Sequence, residues 1–315
     1  MKKLDVVTYG ESMGLFVATE PGPLAQVNEF TKRMAGTETN VAIALARLGH
    51  AVGWASQMGK DSIATYLKSM LAKENVNTDC VTETADYMSG FMFKTKAENG
   101  EDPQIEYFRK GSAASRMTVA DFNEEYFLSA RHLHATGVFP ALTPNCLEFA
   151  KHAMSTMRKA GRTVSFDPNL RPSLWSSEKV MIETLNDLAT RADWVLPGIS
   201  EGKILAGSDK PEEIAKFYLD LGAKMVVVKL GAAGAYYRTA DEEGTVPGVK
   251  VKVVDTVGAG DGFAAGTISG MLEGLPIAEA VMRGNYVGAF AIQVIGDMDG
   301  MPTRAQLEAA YPSKR

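Results

Sequence analysis

The chain has 315 residues, 45% hydrophobic and 23% charged, the composition of an ordinary folded domain large enough to bury a sizeable core. Its 33 basic residues are outnumbered by 38 acidic ones, a net charge of −5, which argues against nucleic acid as a partner. Only Cys80 and Cys146 occur, without a CxxC, and Asp5 and Glu11 interrupt any apolar leader behind Lys2 and Lys3. No apolar run is long enough to span a membrane, so the expected setting is the cytoplasm.

In chain order, the apolar run at 4–9 predicts a strand. Residues 37–48 place Val41, Ala44, Leu45 and Leu48 at helical spacing and stop at Gly49. A strand at 51–58 and a helix at 61–74, opened by Asp61, come next. The pattern then repeats: strand 132–136, helix 144–160, strand 163–167, helix 178–191, strand 194–197, helix 212–221, strand 225–230, and two long helices near 260–273 and 277–293. Strands separated by helices predict an α/β fold whose central, mostly parallel sheet is flanked by helices on both faces. Two segments break the alternation. Residues 11–34 and 88–112 lack helical periodicity and read as strands with turns, Glu98-Asn99-Gly100-Glu101 being a hairpin candidate. They predict a small β-sheet lid, made by two insertions into a single domain of residues 1–315. Such a lid would close over the carboxyl ends of the strands, where open α/β sheets bind ligands.

The most informative motif is Asp255-Thr256-Val257-Gly258-Ala259-Gly260-Asp261, followed by a small-residue helical stretch. Uncovered backbone N–H groups at Gly258, Ala259 and Gly260, joined to a helix N-terminus, form an anion hole. A carboxylate beside a bound phosphate is repelled by it unless it takes a proton from the group attacking that phosphate, so Asp261 reads as the base of a phosphoryl transfer. The alternative is a Gly-rich turn with Asp261 as a helix N-cap. Other nucleotide motifs are absent: neither Gly59-Lys60 nor Gly202-Lys203 precedes Ser or Thr, and Phe263 stands where a dinucleotide fingerprint needs its third glycine. His132 and His134 alternate along a strand without a third metal ligand nearby and read as structural, as do Trp54, Trp175 and Trp194.

Together these features resemble the ribokinase/PfkB family of sugar kinases over essentially the whole chain. The run at 255–261 resembles the family's C-terminal signature, with Asp261 as catalytic base, and Ala35-Gly36-Thr37-Glu38-Thr39-Asn40 resembles its N-terminal one. Within the family the resemblance is strongest to the bacterial branch acting on 2-keto-3-deoxygluconate. It is carried by Gly10-Glu11-Ser12-Met13, by the stretch 107–115 beginning Tyr107-Phe108-Arg109, by Phe166-Asp167-Pro168-Asn169-Leu170-Arg171, and by Gly296-Asp297-Met298-Asp299-Gly300. The resemblance implies a ribokinase-like fold and ATP-dependent phosphorylation of that acid at C6, with Mg²⁺ on the phosphates and a homo-oligomer formed through the lid. Fructose, ribose or a deoxy-keto inositol-pathway acid are alternative substrates within the family, and a non-catalytic sugar- or nucleotide-binding regulator is the alternative outside enzymes.

Residue by residue, the resemblance implies sugar contacts from Gly36, Tyr107, Arg109, Arg171, Asp261 and Asp297. For Arg109 this agrees with strand alternation, which puts it on the same face as Tyr107 and suits a carboxylate clamp; solvated edge charges are the alternative. Arg171 follows a strand end, and a salt bridge to Asp167 is its alternative. On the nucleotide side the resemblance implies Asn169, Arg171, Ser200, Lys229, Gly231, Gly234, Gly258, Gly260 and Asn285. A plain strand-to-strand turn is the alternative at 231–234, and tight helix packing at Asn285. Glu201 is implied to hold Mg²⁺ through water, although Gly198 stands where the family carries Asn. Met92 likewise stands where similar kinases place a lid tyrosine.

Overall fold

The computed structural model describes residues 3–96 and 103–311, so the hairpin candidate at 98–101 lies outside the described residues. Strand β1 (Leu4–Tyr9) leads into β2 (Met13–Ala18), β3 (Phe30–Ala35), helix α1 (Thr37–Arg47), β4 (Val52–Gly59), α2 (Ser62–Lys73) and β5 (Asn77–Thr84). Then come β6 (Phe91–Lys94), β7 (Ile105–Phe108), α3 (Glu124–Leu128), β8 (Ala130–Thr136), α4 (Pro144–Lys159), β9 (Thr163–Asp167), α5 (Glu178–Ala189) and β10 (Trp194–Val195). The chain continues with α6 (Ile199–Leu205), α7 (Pro211–Asp220), β11 (Met225–Lys229), β12 (Gly234–Arg238), β13 (Glu243–Pro247), α8 (Ala259–Leu272), α9 (Ile277–Ala291) and α10 (Arg304–Ala310).

Among the described residues, nine strands form one sheet in the order β13-β12-β11-β10-β9-β8-β1-β4-β5. From β11 to β5 every pairing is parallel; β12 and β13 add an antiparallel edge. Alternate side chains sort to opposite faces, as a pleated strand requires. Val7, Leu133, Phe166, Val226 and Val228 face α3 to α7, whereas Val6, Trp54, Met225 and Val227 face α1, α2 and α8 to α10. Burial on both faces explains why the central strands read as continuous apolar runs. Helix starts are set locally: the side chains of Asp61, Thr143 and Ser177 accept the N–H of Ala64, Cys146 and Val180.

The two segments that break the alternation contribute a separate four-stranded sheet, ordered β3-β2-β6-β7. Its inner face carries Met13, Leu15, Val17 and Met92. Its outer face carries Phe16, Phe30, Phe91, Phe93 and Phe108, with Phe91 stacked on Phe108 at 4.9 Å between centroids. The edge strands β5 and β13 are not anticipated from the sequence, because their half-exposed and exposed polar residues carry no apolar run, whereas β12, with Ala235, Tyr236 and Tyr237 buried, follows the strand-to-strand turn at 231–234.

Candidate active site

The carboxyl ends of the parallel strands and the inner face of the second sheet enclose a cleft of about 700 Å³. Asp261 lies in it. Gly258, at φ +84°, is the N-cap of α8, and Asp261 is the third helical residue. The N-cap alternative for Asp261 is therefore corrected: the carboxylate does not cap its own helix but points to α1. Thr37 Oγ1 donates to Asp261 Oδ1 at 2.5 Å and Asn40 Nδ2 donates to Oδ2 at 2.8 Å. Asn169 Nδ2 donates to Thr37 Oγ1 at 2.8 Å. Asn169 itself has φ +40°, a left-handed turn straight after β9 that asparagine tolerates. Burial pushes the Asp261 carboxyl above its ordinary range, and the Thr37 and Asn40 hydrogen bonds hold it back.

Around this carboxylate the charges are arranged by strand ends. Lys229, last in β11, donates to Asp167 Oδ2, last in β9, at 2.6 Å. Asp167 is thereby taken by Lys229, and an Arg171–Asp167 ion pair does not form among the described residues; Arg171 Nη1 instead donates to the Leu170 carbonyl at 2.8 Å and lines the cleft. Arg109 also lines the cleft, with its side chain 10% exposed, so it is not a solvated edge charge. Its Nε donates to Glu11 Oε2 at 2.7 Å and its Nη2 lies 2.6 Å from the same oxygen. Glu38, in the first turn of α1, accepts from Thr136 at 2.5 Å, and burial pushes its carboxyl up to about 7.

Both oxygens of Glu201 are engaged by backbone: Leu170 N–H donates to Oε1 at 2.8 Å and Gly198 N–H to Oε2 at 2.6 Å. Asp297 is buried at the cleft wall, and burial pushes its carboxyl up to about 6. Gly36 and Gly258 are spots where backbone packs on backbone: an added Cβ would fall 2.5 Å from the Glu11 carbonyl oxygen at the first and 2.1 Å from the Asp297 carbonyl oxygen at the second. Gly36, Tyr107, Asn169, Ser200, Lys229, Glu201, Gly258, Gly260 and Asp297 all line the same cleft.

Residues 3–304 match the model of the pfkB family of carbohydrate kinases. The chain belongs to this family. It is 50% identical to the 2-dehydro-3-deoxygluconokinase of Bacillus subtilis (strain 168), over 99% of this chain and 97% of that one. Among solved structures, the PfkB protein of Polaromonas sp. JS666 is similar at TM-score 0.91 and 55% identity, covering 97% of this chain and 99% of that one. An E. coli protein named for ribokinase II, in complex with ATP and Mg²⁺, is similar at TM-score 0.90 and 26% identity, over 97% and 98% of the two chains. The ribokinase-like architecture, a large mostly parallel sheet with a smaller separate one, is shared with these neighbours.

Within this carbohydrate kinase four expected site residues lie off the cleft lining. Ala259 sits between the lining Gly258 and Gly260. Gly231 and Gly234 bracket the tight turn joining β11 to antiparallel β12, and Gly234 at φ +103° packs on the backbone of β13. Asn285 on α9 donates to the Pro247 carbonyl at 3.0 Å, a helix-to-strand tie. His132 and His134 are buried in β8, both hydrogen-bonded to Ser165, and burial holds the latter down to about 3, so both are neutral structural groups. Glu11, Glu38 and Lys94 are buried ionisable side chains that the motifs do not assign a role. The signal available was position: Glu11 two residues after β1, Glu38 between Thr37 and Asn40, and Lys94 two residues from Met92.

Proposed function

We propose that this carbohydrate kinase transfers the γ-phosphoryl group of ATP to the C6 hydroxyl of 2-keto-3-deoxygluconate, giving 2-keto-3-deoxy-6-phosphogluconate and ADP. The observation that carries the substrate is the convergence of two guanidinium groups, Arg109 and Arg171, with Asp261 on one cleft. A sugar acid needs such cations for its carboxylate and a neutral sugar does not. The full-length likeness to a 2-dehydro-3-deoxygluconokinase supports the same choice.

In this reading Asp261, held by Thr37 and Asn40, accepts the C6 hydroxyl proton as O6 bonds to the γ-phosphorus and the bond to the leaving ADP oxygen breaks. The N–H groups of Gly258, Ala259 and Gly260 meet the charge developing on the phosphoryl oxygens. Asn169, Arg171, Ser200 and Lys229 hold the nucleotide phosphates from the strand ends, while Gly231, Gly234 and Asn285 bound the base and ribose. Gly36, Tyr107 and Asp297 line the sugar side. Among the described residues no three His, Cys, Asp or Glu side chains assemble a metal site. Glu201, with both oxygens already accepting N–H groups, fits a metal carried on the phosphates and held through water. Mg²⁺ bound in that way supplies positive charge against the phosphates.

The second sheet acts as a lid that excludes water, within one kinase domain spanning residues 1–315. Its outer aromatic face, with Phe108 48% exposed, suits pairing with a second copy of the chain. The enzyme works in the cytoplasm on small molecules, without nucleic acid or membrane. The test is ATP turnover with Mg²⁺ on 2-keto-3-deoxygluconate, its C4 epimer, gluconate, fructose and ribose. Strong preference for the keto-deoxy acids is expected; preference for fructose or ribose would overturn the substrate assignment.

A further inference from the structure

Among the described residues, Lys94 is the one lysine of the second sheet's inner face. It lies two positions from Met92 on β6, so the two side chains share the face turned toward the main body, and Lys94 is 2% exposed. A buried ammonium persists only where carboxylates pair with it. Its Nζ lies 2.7 Å from Asp255 Oδ2 and 3.5 Å from Asp297 Oδ1, and both carboxylates are themselves buried.

These two carboxylates belong to the loops that carry the anion-binding amides. Asp255 Oδ1 accepts the Val257 N–H at 3.1 Å, and Oδ2 faces the Gly296 N–H at 3.4 Å. Asp297 follows Gly296, and its carbonyl packs against Gly258 at the start of the amide run. Asp297 Oδ1 has no hydrogen-bond donor among the described residues, which leaves the Lys94 ammonium as its counter-charge. One cation on the second sheet thus ties the 255–260 loop to the 296–297 loop. Without it, two buried carboxylates in the loops that bracket the anion-binding amides would lose their shared counter-charge.

Resting on the phosphoryl-transfer reading above, we propose that Lys94 is a positioning residue for the reaction: its ammonium, delivered by the second sheet, locks the 255–260 and 296–297 loops in the arrangement that receives the transferring phosphoryl group. The second sheet then contributes to phosphoryl transfer itself as well as covering the sugar.

Steady-state kinetics with ATP and 2-keto-3-deoxygluconate on the wild type, Lys94→Met and Lys94→Ala test this, with thermal melts to establish that each variant is folded. Lys94→Met is expected to keep KM for the sugar acid within about threefold and to lose about 10- to 100-fold in kcat, the scale of a displaced positioning group. In Lys94→Ala, methylammonium at tens of millimolar should restore kcat at least about fivefold by refilling the vacated charge, while leaving the wild type unchanged. A kcat within about twofold of wild type in both variants would overturn the proposal. So would a loss in folded Lys94→Ala that methylammonium does not relieve. A wild type active only on a neutral sugar would sink the substrate assignment alone, and the Lys94 comparison would then be read on that sugar.

Discussion

Thr37 donates to Asp261 across 224 positions of sequence, at 2.5 Å. This contact joins the first turn of α1 to the first turn of α8 and fixes the carboxylate on the side away from its own helix. With Asn40 on the second oxygen, both acceptors of the carboxylate are pre-aimed. The arrangement suits a base, because a rigid carboxylate needs no reorganisation at the moment of transfer.

Asp261→Asn removes the proton acceptor and keeps the shape. We expect kcat to fall about 10²- to 10⁴-fold, with ATP affinity by calorimetry little changed. Near-normal turnover would remove Asp261 from the mechanism.

Thr37→Val deletes one hydrogen bond to the ionised form of a buried carboxyl. Burial already raises the Asp261 carboxyl, so losing Thr37 raises it further. The acid limb of the kcat/KM profile, where activity falls as the base takes up a proton, should move upward by about one to two pH units. An unmoved limb would mean that another group controls it.

Glu38 sets a pH dependence of stability. Its folded carboxyl titrates near 7, above the ordinary 4.5, because of burial. The folded state therefore holds a proton that the unfolded state has released, and this contribution, full below 4.5, is lost as pH rises through 7. Relative to wild type, Glu38→Gln should gain on the order of 3 kcal/mol between these limits. Denaturant melts at pH 4 and pH 8 measure it, and parallel behaviour of the two proteins would refute the shift.

Arg109→Ala should raise KM for the keto-deoxy acid by about 10- to 100-fold, the scale of a charge-assisted hydrogen bond. It also leaves Glu11 buried and unpaired, so Tm should fall. Adding Glu11→Gln should recover much of the Tm and none of the KM. Recovery of both would recast Arg109 as structural.

Much of this site was legible because its chemistry is local. The amide run at 258–260 and Asp261 are contiguous, and Asn169 and Arg171 follow directly on a strand that reads clearly from its apolar run. Strand alternation alone put Tyr107 and Arg109 on one face, and both line the cleft. The buried partners were not legible, for a physical reason. Glu11 meets Arg109 across 98 positions and Lys94 meets Asp255 across 161, and local position alone does not identify such distant partners. The turn at 231–234 shows the converse: glycines that suit phosphate approach equally suit the tight antiparallel turn that holds β12.

The linkage of α1 to α8 also imposes an order on synthesis. Thr37 and Asn40 leave the ribosome 224 and 221 residues ahead of Asp261, an interval of roughly 10 to 45 s at ordinary elongation rates. Throughout it, the face of α1 that α8 will cover has no permanent cover. The newborn chain is thus most in need of chaperone protection at its oldest helix, and the catalytic centre can close only after nearly the whole polypeptide has emerged.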